Sequence, residues 1–150
     1  MNISCSSVWK FALLFFTVIT LIGCRNIDTA SKHFTEPDPS VLRLGKEIYD
    51  ANCASCHGVD GQGQPNWKTP DENGKRPAPP HDSSGHTWHH ADSLLLEIIA
   101  DGSSVPGSAM IGYKDLLSQE EMEASLAYIK TFWGEEEREF QHKVSQQGGG

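Results

Sequence analysis

The chain has 150 residues, enough for one domain of ordinary size and too few for two. Its formal charge of −8, from 12 Lys and Arg against 20 Asp and Glu, excludes the basic footprint that nucleic-acid binding needs. Four cysteines invite a disulfide framework, but Cys5 and Cys24 belong to an apolar N-terminal segment, and only Cys53 and Cys56 lie in the body of the chain.

Lys10 is followed by an uncharged run of 12 residues, Phe11 to Ile22. A helix needs about 20 residues to cross a hydrocarbon core, so the run suits the h-region of an export signal better than a membrane span. It closes in Leu21-Ile22-Gly23-Cys24, which resembles the bacterial lipobox, where a cysteine is lipidated and becomes the new N-terminus. The expectation is a signal peptide over 1–23 and a lipid anchor on Cys24, with an uncleaved anchor helix as the alternative. Several acyl chains on one cysteine give stable anchoring where a single chain does not. Lys10 is the one charged residue of 1–23, so its removal lowers the formal charge by one, to −9. Residues 24–39 are polar and carry Pro37 and Pro39; they read as a flexible tether about 20 Å from end to end.

Three segments carry helical periodicity. From Ser40 to Asn52, Val41, Leu44 and Ile48 mark one stripe, with Ser40 as the expected N-cap. From Asp92 to Asp101, Leu94, Leu95, Ile98 and Ile99 share a face, and Gly102 stops the helix. The third opens at Ser118 with the S-x-x-E capping box to Glu121, runs through Met122, Leu126, Ile129 and Trp133, and ends at Gly134. No stretch alternates as a half-buried strand does. Residues 135–150 open with Glu135, Glu136 and Glu137 and close in low-complexity Gln and Gly; they read as an acidic, disordered tail.

Between the first two helices lie roughly forty residues rich in Gly, Pro, His and Asp, a length that suggests wrapping around something. Cys53-Ala54-Ser55-Cys56-His57 says what. C-x-x-C-H is the attachment pattern of c-type haem. Two thiols one helical turn apart can each add to a porphyrin vinyl group, and the adjoining histidine presents its imidazole to the iron. A thioredoxin-like pair or half of a zinc site would need a βαβ pattern or a second cysteine pair, and the chain has neither. Gly58, Gly61 and Gly63 after the motif read as a turn.

From Ser40 to Gly134 the chain resembles the small monohaem class I cytochromes c, in a membrane-tethered bacterial lipoprotein form. Gly45 and Tyr49 look like the small and aromatic residues of that family's first helix, and Leu126-Ala127-Tyr128-Ile129 resembles the last helix that crosses it. The crossing would give Gly45 the packing reason that a helical glycine, costing about 1 kcal/mol against alanine, requires. The resemblance implies a mostly α, three-to-four-helix domain over 40–134 holding one haem c through Cys53 and Cys56. It implies His57 as one axial ligand and Met110, in the Gly102–Tyr113 loop, as the other, although Ile111 stands where the family commonly has proline. Met122 falls on the helical stripe and reads as core. The resemblance also implies that a carbonyl of Pro79 or Pro80 accepts the proximal histidine's N–H, and that Trp88 and Tyr113 belong to the haem surroundings.

His81, His86, His89 and His90 crowd into ten residues and raise copper or zinc binding as an alternative. Three functions therefore stand side by side. They are a one-electron carrier with redox partners, a sensor or catalytic haem with an open iron position, and a metal-handling loop with an accessory haem. The acidic charge points to a redox partner with a basic docking patch. The export signal points to a haem domain facing the periplasm or cell exterior.

Overall fold

A computed structural model describes residues 36–148. The export signal of 1–23, Cys24 and most of the 24–39 tether lie outside the described residues. Helix α1 spans Pro39–Asn52. Its cap is Asp38 rather than Ser40: the Asp38 carboxylate accepts from the Ser40 N–H at 2.7 Å. Pro39 has no N–H to offer, so the first free donor of the helix is Ser40's, and a cap must sit ahead of the proline. One further turn, α2, covers Ala54–His57.

Helix α3 spans Asp92–Asp101 and ends at Gly102, whose φ of 84° only glycine adopts freely. Helix α4 spans Gln119–Ile129, and both bonds of its capping box form between Ser118 and Glu121. The helical pattern read through to Trp133 tightens into a 3-10 turn, Lys130–Phe132, which swings Trp133 into the core. There Trp133 joins Tyr49, Leu95, Ile99, Met122, Leu126 and Ile129. Met122 is 5% exposed, in keeping with its place on the stripe.

α1 and α4 form the most extensive contact between helices. They cross at Gly45, where a Cβ would run into the Ala124 carbonyl and lie 2.9 Å from the Tyr128 Cβ. Tyr49 lies one turn further along α1, fully buried, with its ring 5.5 Å from that of Tyr128.

The expected disordered tail is instead a helix, α5, over Glu135–Gly148. Three glutamates in its first turn suit the positive end of the helix dipole, and Lys143 pairs with Glu139 one turn apart. It is held down by Gln141, 1% exposed, whose amide donates to the His90 carbonyl at 3.2 Å and to Asp92 and Ser145 side chains. Low-complexity composition at the very end masked a preceding stretch of strong helix formers. Among the described residues there is no strand, only an isolated bridge between Arg76 and Ser108, and no helix is long and apolar enough to cross a membrane.

Candidate cofactor site

Cys53, Cys56 and His57 are presented by the junction of α1 and α2. The His57 N–H bonds the Cys53 carbonyl at 2.9 Å, so the motif is one helical turn, with both thiols free. Tyr49 braces both ends of it. Its carbonyl accepts the Cys53 N–H at 2.8 Å, and its hydroxyl donates to the Gly58 carbonyl at 2.8 Å. Burial raises the Tyr49 pKa, which keeps that hydroxyl a donor. Burial, and then the neighbouring Cys56, pushes the Cys53 thiol up to about 11.

The His57 ring is buried, and its Nδ1 lies 2.8 Å from the Pro79 carbonyl oxygen. A carbonyl only accepts, so Nδ1 carries the proton and Nε2 keeps its lone pair. Burial lowers the His57 pKa, outweighing the opposite effect of the Pro79 bond, and leaves the ring neutral. Of the two candidate prolines, Pro79 reaches the histidine, while Pro80 is buried behind it. The proline segment is lashed to the loop after the motif by bonds from Gln64 N–H to the Ala78 carbonyl (2.9 Å) and from His81 N–H to the Gly61 carbonyl (2.7 Å). Gly63, at φ 66°, lets the two strands of chain touch; a Cβ there would sit 2.5 Å from the Pro80 nitrogen.

Met110 is half-buried against the core cluster. Ile111 follows it, and backbone ties hold its loop. The Arg76 N–H bonds the Gly107 carbonyl at 2.9 Å, and the Ser103 N–H bonds the Met110 carbonyl at 3.3 Å. Tyr113 closes the loop: its N–H donates to the Ile99 carbonyl and its hydroxyl to the Asn52 carbonyl, at 2.9 and 2.8 Å. That second bond ties the methionine loop to the end of α1, beside Cys53.

The clustered histidines each lie against another ring. His86 stacks on Trp67 at 5.4 Å and meets the edge of His90, while His89 lies edge-on to Trp88 at 3.8 Å. His81 stacks on His57 itself, centroids 3.8 Å apart and planes 14° from parallel. Among the described residues no three His, Cys, Asp or Glu side chains group as a metal site. The contacts that sequence reading missed are this stack, the bond from Trp133 Nε1 to the His81 carbonyl at 2.7 Å, and Gln141. No local pattern announces any of them.

The residues present fit a covalently held haem. Two free thiols stand one turn apart beside an imidazole with a free Nε2, and the Met110 thioether lies on a tethered loop packed against the core. The buried Nε1–H of Trp88 has no protein partner, and a buried donor of that kind suits an acidic group such as a haem propionate.

A family model described as Cytochrome c matches residues 42–133. The chain is also similar to a protein named nitrite reductase from Stutzerimonas stutzeri, 28% identical over 118 residues. The matched stretch is 75% of this chain but 19% of that protein. No solved structure matches significantly.

Proposed function

The chain belongs to the cytochrome c family, and from that premise we propose that it is a one-electron carrier whose haem c is held by Cys53 and Cys56 and ligated by His57 and Met110. The observation that carries this reading is the His57–Pro79 bond, which fixes the tautomer that offers Nε2 to iron, next to two free thiols. The haem, when bound, supplies the reversible exchange of one electron.

The protein's part is to hold, cover and present. Cys53 and Cys56 would fasten the group at the junction of α1 and α2. Pro79 orients the His57 ring and adds to its basicity through the bonded N–H. Met110, as a soft thioether ligand, would favour the reduced state and raise the potential. Trp88 would have its unpartnered N–H to offer to a propionate, and Tyr113 keeps the Met110 loop beside the motif.

The same reading places the domain outside the cytoplasm on a lipid anchor at Cys24, after removal of residues 1–23, where it meets a redox partner bearing a basic patch. The likeness to a stretch of a protein named nitrite reductase supports a place beside an oxidoreductase, as its donor or as a haem-bearing part of it.

The test is spectroscopic. The ferric protein should be low-spin with the weak far-red band of sulfur–iron ligation, and the ferrous protein should not bind carbon monoxide. Met110→Ala should remove the band and admit carbon monoxide. Wild-type protein that binds carbon monoxide freely would favour a sensor or catalytic haem instead.

A further inference from the structure

The ring of His81 lies flat against that of His57, and its backbone is pinned on both sides. Its N–H donates to the Gly61 carbonyl at 2.7 Å, and its carbonyl accepts from Trp133 Nε1 at 2.7 Å. The residue is 8% exposed, and its Nδ1 is buried without a partner, so no polar contact within the protein accounts for an imidazole here. Burying an unpaired ring nitrogen has a cost, and an aliphatic residue would avoid it. What the imidazole offers over an aliphatic side chain is a flat face.

The bond from His57 Nδ1 to Pro79 restrains the tilt of the proximal ring but leaves soft its rotation about an axis through Nε2. A plane 3.8 Å away restricts that rotation sterically, because two aromatic rings at that spacing are nearly in van der Waals contact and neither can turn far without striking the other. Trp133, buried just after the 3-10 turn, holds the backbone that carries this plane through its bond to the His81 carbonyl, and the Tyr49 ring lies 5.8 Å from the His81 ring.

We propose that His81 is a positioning residue for the proximal ligand: with its backbone pinned by Trp133, its ring sets the rotational angle of the His57 imidazole. The proposal rests on the reading of His57 as an iron ligand. The angle of an axial imidazole decides which iron d orbital it overlaps, and so the spacing of the orbitals that hold the unpaired electron in the ferric state. Outer contacts of this kind orient a ligand without touching the metal.

The test uses the full-length, haem-loaded protein as wild type, His81→Leu and His81→Phe. Ferric electron paramagnetic resonance g-values and the order of haem methyl shifts in proton NMR both report ring angle. His81→Phe, which keeps a flat face, should retain the wild-type g-values and methyl order. His81→Leu should shift both, while covalent haem and the far-red band persist. Identical spectra for His81→Leu and wild type would overturn the proposal, as would equal shifts in both variants, which would assign the effect to the imidazole's polarity. Should His81→Leu fail to accumulate, Trp133→Phe carries the test: loss of the Nε1–H bond should shift the spectra in the direction of ring release, and an unchanged spectrum would overturn the proposal. A wild-type protein with no low-spin ferric signal would instead overturn the ligand reading itself.

Discussion

Gly45 and Ala124 touch backbone to backbone: a methyl group on Gly45 would occupy the space of the Ala124 carbonyl oxygen. Alanine in place of a helical glycine ordinarily adds about 1 kcal/mol of stability. Here Gly45→Ala should reverse that sign and cost about 1–3 kcal/mol, the usual penalty for overpacking. Urea unfolding of the haem-loaded protein measures it. A gain in stability would mean that the helices do not cross this closely.

The thiols make a second prediction. Cys53→Ala or Cys56→Ala should leave haem on one thioether at most, and the double variant should leave none on a haem-stained denaturing gel. By contrast, Met122→Ala should keep haem and spectrum while losing about 2–5 kcal/mol, as a core methionine cut to alanine does. Haem stain that survives the double change would exclude covalent attachment through this motif.

Asp92 predicts a pH dependence. Burial alone would raise its pKa, but Lys130, 2.6 Å away, and hydrogen bonds from Gln141 and Ser145 outweigh burial and hold it below 3.8. A carboxylate depressed in the folded state stabilises above its unfolded value and loses that stabilisation as pH falls through the folded one. The melting temperature should therefore drop more steeply below about pH 4 in wild type than in Asp92→Asn. Parallel curves would mean that the ties of Asp92 to Lys130 and to α5 carry no acid sensitivity.

Charge predicts how the partner is met. At a formal −8 or below, electron transfer to a basic partner should slow between 0.01 and 0.1 M salt, as the Debye length falls from about 30 to about 10 Å. Stopped-flow oxidation of the domain freed of its first 23 residues measures this. A rate flat in salt would mean that charge does not guide the encounter. Separately, Cys24→Ser should move the protein from the membrane fraction to the soluble one, and continued association would favour an anchor helix.

Local signals carried much of the fold. Asp92–Asp101 and the Ser118 capping box were legible because periodicity and capping are written within one or two turns of sequence. Gly45 was legible because a glycine inside a strong helix pattern needs a neighbour to justify it. The α5 helix was not, since its one buried residue is the polar Gln141, and an apolar-stripe criterion passes over a helix held by an amide. The haem motif is contiguous and could be read directly. The His81 stack joins residues 24 positions apart through the fold of a proline loop, and no spacing rule reaches that far.

The state of Cys53 bears on the order of assembly. Once the domain has closed, this thiol is half-buried against the core, and burial pushes its pKa up to about 11, so little of it is the reactive thiolate at neutral pH. A chain that folded first would lower the reactivity of Cys53 while leaving Cys56 exposed. Haem addition at Cys53 should therefore run faster on the open chain than on the closed domain, and comparing the two rates in vitro checks it.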